Sequence, residues 1–135
     1  MIIQEDYILV SAPTEDGQAF LRTLAMKGMP FVALTNNRAD KQALEEIGVK
    51  EILMVDTRDS RPPMIPELPI GKVFLFERSF NLCCRYIHTC RSWTGKPIYV
   101  ITQGHNSRLI YKGLGANYVI HSQGNDLSFL LSENQ

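Results

Sequence analysis

Residues 7–34 read YILVSAPTEDGQAFLRTLAMKGMPFVAL, and the fold turns on this stretch. Tyr7-Ile8-Leu9-Val10 is a short continuous apolar run, the pattern of a strand buried on both faces. From Gly17 to Lys27, Phe20, Leu21, Leu24 and Ala25 recur at helical spacing, with Arg22 and Lys27 elsewhere. Gly28 ends that helix, and Phe31-Val32-Ala33-Leu34 opens a second buried strand. A strand–helix–strand unit is complete within the stretch.

The unit repeats outward from there. Ala39 to Ile47 is helical through Ala43, Leu44 and Ile47, Gly48 stops it, and Glu51 to Val55 is a third strand. Lys72 to Phe76 is a fourth. Ser79 then caps a helix whose apolar stripe is Leu82, Cys83, Tyr86, Ile87, Cys90 and Trp93, with Gly95 and Pro97 at its exit. Pro97 to Ile101 reads as strand five, Leu109 to Leu114 as a short helix and Tyr118 to Ile120 as strand six. Leu127 to Leu131 reads as a last amphipathic helix behind a cap at Asn125 or Asp126. Gly28, Gly48, Gly95 and Gly115 each follow a helix and precede an apolar strand, which predicts a left-handed C-cap at each helix end. The segment from Thr57 to Gly71 carries Pro62, Pro63, Pro66 and Pro69, so a loop is expected as the crossover between strands three and four. Short helices alternating with doubly buried strands predict one α/β domain over residues 1–135. Its sheet is doubly wound and mostly parallel, of five to six strands with helices on both faces, a Rossmann-like three-layer sandwich.

Composition narrows the function classes. The 135 residues hold 14 basic and 14 acidic side chains, a formal net charge of zero, with 44% hydrophobic residues. That balance gives no broad electrostatic footprint for nucleic acid or an anionic membrane. No apolar run approaches the roughly 20 residues of a membrane span. Met1 to Asp6 lacks a basic n-region, so no signal peptide and a cytoplasmic location are expected. Cys83, Cys84 and Cys90 form an odd set without C-x-x-C spacing and read as reduced core thiols. His88, His105 and His121 lack metal-ligand spacing, and no Ser or Cys sits in a nucleophile elbow. Arg78, Arg85 and Arg91 read as a solvated positive strip along one helix.

In an open parallel sheet, ligands bind outside the carboxyl ends of the strands where strand order reverses. Those ends carry Ser11 to Gly17, Thr35-Asn36-Asn37-Arg38, Asp56-Thr57, Glu77-Arg78 and Thr102-Gln103-Gly104-His105. The first loop leads into a helix N-terminus able to hold a phosphate, with hydroxyls from Ser11 and Thr14. Glu15 and Asp16 bring negative charge to the same place, and acidic residues also stabilise a first helical turn with no ligand at all. Of the G-x-G-x-x-G fingerprint only Gly17 remains.

Tyr7 to Asp56 resembles the start of atypical short-chain dehydrogenases of the NmrA-like kind, which are Rossmann NAD(P)-binding proteins. The matching residues are Ile8 to Thr14, Leu21-x-x-Leu24-x-x-Lys27-Gly28, Val32 to Asn37 and Leu44 to Val49. Val73 to Phe76 with Asn81-Leu82 is similar to that family's fourth strand and helix. The resemblance implies that Ser11, Ala12, Pro13, Thr14 and Gly17 lie against a cofactor pyrophosphate. It implies Asn36, Asn37 and Arg38 near the adenosine ribose, Asp56 and Thr57 beside the adenine, and Phe76 at the cofactor's middle. Strand two ends without the acidic residue that binds a ribose 2′-hydroxyl, and Arg38 can pair with a 2′-phosphate, so NADP is expected over NAD. No Tyr-x-x-x-Lys pair occurs, and the likeness does not reach that family's substrate-binding part. The implied role is dinucleotide binding without complete dehydrogenase machinery.

A second resemblance uses some of the same residues. Pro97 to Thr102 followed by Gly113 to Ile120 looks like the end of a response-regulator receiver domain. It implies Asp56 at the phosphoacceptor position and Thr102 at the switch hydroxyl. Ser11-Ala12 and His121-Ser122 stand where that family places its acidic pair and its lysine, so a non-phosphorylated module is implied. Two functions are therefore expected as alternatives. One is a stand-alone domain binding a dinucleotide or other small molecule; the other is a ligand-free interaction module, a homodimer or a partner-bound subunit. An enzyme using Asp56, Thr102 or His105 is a weaker third, because no general base with a partner can be read.

Overall fold

The computed structural model describes residues 6–58, 65–104, 107–122 and 127–131. The elements are β1 (Tyr7–Ser11), α1 (Glu15–Met26), β2 (Phe31–Thr35), α2 (Arg38–Glu46), β3 (Ile52–Met54) and β4 (Ile70–Phe76). After them come α3 (Phe80–Trp93), β5 (Ile98–Thr102), α4 (Arg108–Leu114), β6 (Tyr118–His121) and a 3₁₀ turn, Ser128–Leu131. The six strands form one sheet in the order β3-β2-β1-β4-β5-β6, and every pairing is parallel. Winding runs outward from β1 through β2 to β3, then returns to β4 beside β1 and runs outward the other way. That reversal places the switch point between β1 and β4.

Alternation along the strands divides the core in two. Leu9, Val32, Leu34, Val73, Leu75 and Val100 pack with Cys83, Tyr86, Ile87 and Cys90 of α3 and Tyr111 of α4. Val10, Ala33, Phe74, Phe76 and Ile101 pack on the other face with Phe20, Leu21 and Leu24 of α1, Leu44 of α2, and Leu127 and Leu131. Leu24, Ile87 and Cys90 have no exposed surface. Full burial of a leucine or isoleucine side chain contributes about 1.5–3 kcal/mol. The doubly wound parallel sheet expected from the sequence is the observed one.

Four local expectations change. Strand β4 starts at Ile70, because Tyr7 N–H donates to the Pro69 carbonyl (2.8 Å) and draws the end of the proline segment into line with β1. The last helix is a single 3₁₀ turn, Ser128–Leu131, pinned by burial of Leu127 and Leu131; Asn125 and Asp126 lie outside the described residues. Gly28, Gly48 and Gly115 have positive φ, but Gly95 does not. Helix α3 instead ends at Thr94, an extended residue whose N–H donates to the Cys90 carbonyl. The positive strip is also dissolved. Arg91 donates to the carbonyls of Gly115, Thr94 and Lys96 and to Asn117 Oδ1, Arg85 donates to the Thr57 carbonyl, and Arg78 precedes α3 altogether. Among the described residues, no helix is long and apolar enough to cross a membrane.

Candidate functional site

The carboxyl ends of β1 and β2 open into a small cleft. Ser11, Ala12 and Pro13 form one wall, Thr35, Asn36 and Asp40 another, and Arg78 reaches in from beyond β4. Its floor is apolar, from Leu34, Leu82 and Tyr86. The volume is about 150 Å³, against roughly 300–1,000 Å³ for a site enclosing a drug-sized ligand. A ring-sized moiety fits inside, and the remainder of a larger ligand would run along the rim.

Each wall is held by its own sequence chemistry. Thr14 is the N-cap of α1, and its hydroxyl accepts from Gly17 N–H at 3.1 Å, while its carbonyl accepts from Gln18 N–H at 3.0 Å. The first of these takes one of the free N–H groups of the helix start; the second is the first regular bond of the helix. Glu15 and Asp16 occupy that turn, the acidic arrangement a helix N-terminus favours. Asn37 caps α2, accepting from Asp40 N–H at 2.8 Å and donating from Nδ2 to Asp40 Oδ2 at 3.1 Å. Its Nδ2 also donates to Asn36 Oδ1 at 3.0 Å, and Asn36 Nδ2 donates to Thr57 Oγ1 at 3.1 Å. A continuous polar chain therefore rims the cleft from Thr57 to Asp40.

Arg78 completes the rim. Its Nη1 donates to the Pro13 carbonyl at 3.2 Å, and its Nη2 lies 3.8 Å from Asp40 Oδ2, with the two side chains 60% and 42% exposed. Among the residues lining the cleft, Arg78 is the only cation and Asp40 the only anion. Sequence reading placed Arg78 with Glu77 at the strand ends but also counted it in a strip along a helix, and gave it no ligand-binding role. The available signal was its place two residues after β4, at the same sheet edge as the first loop.

The other expected residues divide. Ser11, Ala12, Pro13 and Asn36 line the cleft, with Thr14, Asn37 and Arg38 beside it. Arg38 is exposed on the first turn of α2. Gly17 sits inside, against Ala12 and the Phe76 ring. Phe76 is only 3% exposed and its ring packs on Phe20, so its side chain belongs to the core. Asp56 and Thr57 lie across β3, on a larger groove of about 1,300 Å³ between the edge strand, Pro66 to Leu68 and α3. Asp56 accepts from Arg58 N–H at 2.9 Å there. Thr102 is buried and donates to Glu77 Oε1, while Tyr111 donates to Glu77 Oε2. Burial, followed by that bond to Glu77, holds the Tyr111 phenol above its ordinary range. His105 lies outside the described residues.

The receiver-like arrangement does not form. Asp56 follows the edge strand β3, and Thr102 ends β5 on the far side of β2, β1 and β4. At about 4.8 Å per strand they are separated by roughly 19 Å, and the strand order differs from the 2-1-3-4-5 winding of flavodoxin-like folds.

No protein family and no curated protein matches the sequence. Solved structures do match. The GsuK channel bound to NAD superposes with a TM-score of 0.68 at 19% identity, over 87% of this chain and 21% of that one. The TrkA-N domain of the inner membrane protein ybaL from Escherichia coli gives 0.65 at 15% identity, over 97% of both chains. The NAD(P)-binding domain of an exopolyphosphatase-related protein from Archaeoglobus fulgidus gives 0.66 at 17% identity, over 87% of this chain and 88% of that domain. The chain spans about a fifth of the GsuK channel's length. These structures are a channel, a TrkA-N domain and an NAD(P)-binding domain, not NmrA-like dehydrogenases, so the expected resemblance narrows to the fold they share: the chain has a Rossmann-like α/β fold.

Proposed function

We propose that this chain is an adenine-dinucleotide-binding module, with NADP(H) preferred over NAD, that senses or accompanies another activity and does not itself complete a dehydrogenase. The observation that carries the reading is the cleft at the carboxyl ends of β1 and β2, beside the β1/β4 switch point and walled by Ser11, Ala12, Pro13 and Asn36, at the edge of the sheet where such folds take their ligands. The match to the GsuK channel bound to NAD and to an NAD(P)-binding domain supports it. The lean to NADP(H) rests on Arg38, exposed on the first turn of α2, and on Asn36 standing where a ribose-binding carboxylate would. Isothermal calorimetry and thermal melting with NADPH and NADH test it. NADPH at a hundred times its dissociation constant is expected to add about 2.7 kcal/mol of stability, and Arg38→Ala to remove the preference for NADPH. No heat and no shift with either dinucleotide at millimolar concentration would discard the reading.

A second reading is a ligand-free interaction module. The outer face of α4 favours it, with Leu109 84% and Ile110 50% exposed. Equilibrium sedimentation separates the two, since a strictly monomeric chain that binds NADPH leaves only the first.

A further inference from the structure

The first turn of α1 is a poor seat for a diphosphate as it stands. Glu15 and Asp16 place two carboxylates there, and the Thr14 hydroxyl has already taken the N–H of Gly17. A diphosphate brought to that loop needs a cation, and the cleft supplies one, Arg78. Its guanidinium sits directly over the loop, bonded to the Pro13 carbonyl, with Asp40 as counter-charge at 3.8 Å. An exposed pair at that distance is weak, contributing at most about 1 kcal/mol. A phosphate presents the planar fork of an arginine with a stronger, two-oxygen partner.

We propose that Arg78 is the phosphate-reading residue of this cleft and that Asp40 is its resting partner, so that the Arg78–Asp40 pair at the rim is exchanged for an Arg78–diphosphate pair when a nucleotide enters. The inference rests on the nucleotide reading above and names the group that recognises the ligand's charged centre. Exchange of partners accounts for how a cleft with an acidic, self-capped helix start takes an anion. Asp40 is retained by the bonds it already makes with Asn37 when Arg78 leaves it. Arg38, on the same helix, stays available for a 2′-phosphate.

The exchange gives the two partners opposite signs, which a purely structural ion pair does not. Calorimetry with inorganic pyrophosphate, ADP, NADPH and adenosine on the wild type, Arg78→Ala, Arg78→Lys and Asp40→Asn tests it. Arg78→Ala is expected to weaken pyrophosphate, ADP and NADPH about tenfold or more, the factor equivalent to about 1.4 kcal/mol, and to affect adenosine less. Arg78→Lys should recover part of the loss. Asp40→Asn should tighten the phosphate ligands about two- to fivefold by removing the competitor, the range an exposed pair allows. Neither side chain is buried, and melting curves without ligand verify that the variants fold. Unchanged phosphate affinity in Arg78→Ala, or parallel weakening in Arg78→Ala and Asp40→Asn, overturns the proposal. Arg78-dependent binding of pyrophosphate and ADP with no binding of NADPH or NADH sinks the dinucleotide reading and leaves this one standing. Dinucleotide binding that ignores Arg78 does the reverse, and a wild type that binds none of the four probes removes both.

Discussion

A Cβ built on Gly17 would lie 2.8 Å from the Cα and 2.9 Å from the Cβ of Ala12, and 3.1 Å from the Phe76 ring. The nearest obstacle is backbone, which cannot swing aside as a long side chain can. Gly17 therefore lets α1 pack against the end of β1 and the ring beneath it, the role the third glycine of a dinucleotide fingerprint plays. Gly17→Ala is expected to destabilise the protein by about 1–3 kcal/mol, the usual range for overpacking, read as a lower urea midpoint. An unchanged midpoint would show that the helix start moves freely. That one residue explains how the site was partly legible. Ala12 and Thr14 occupy the places of the two missing glycines, so the motif is unrecognisable by pattern, while the one glycine whose absence is a steric matter persists. The position of Arg78 at the strand ends was legible, but its partners were not: the β1 loop and α2 converge on it, contacts that no local spacing encodes.

Helix ends show where sequence logic holds at the scale of elements and where it fails. Gly28 has φ of +68°, a left-handed conformation reached at the end of α1, where its N–H donates to the Ala25 carbonyl. Gly95 occupies the matching place after α3, but its φ is not positive, and a Cβ there meets nothing within 4 Å. The difference comes from Thr94, whose hydroxyl donates to the Gly71 carbonyl and accepts from Lys96 N–H, and from Arg91, which gathers the carbonyls around that exit. The chain leaves α3 by hydrogen bonds from side chains, so no left-handed residue is needed. Gly28→Ala is expected to cost about 1–2 kcal/mol for a left-handed non-glycine residue. Gly95→Ala should be neutral or stabilise by up to about 1 kcal/mol through the unfolded chain. Paired chemical denaturation measures both, and equal losses would contradict the distinction. Strand and helix order was readable throughout because the apolar periods are local. The exit of α3 was not, because it depends on residues of β4 and of the segment before β6.

Across the whole molecule one of the two core layers carries a chemical weakness. Cys83 and Cys90 lie in the layer beneath α3, 4% and 0% exposed. Burial pushes both thiols up from an ordinary value of 9.0 to about 12; for Cys83 the Tyr111 hydroxyl works against the shift and the Glu77 charge with it. Between pH 9 and 12 the native state retains these protons while the unfolded chain releases them. The unfolded state then binds fewer protons, so stability falls as pH rises. The contribution is fully present below pH 9 and is lost progressively as pH climbs toward the native value. Each thiol gives a slope of about 1.4 kcal/mol per pH unit in that window. Tyr86 and Tyr111, whose phenols burial also raises, steepen the decline at its upper end. The urea midpoint should therefore be level near neutrality and drop steeply from pH 9 upward. Cys90→Ala, though less stable at neutral pH through the lost packing, should show a shallower alkaline slope than the wild type. Identical slopes would mean that the thiol beneath α3 ionises as readily in the folded protein as in water, which its burial does not permit.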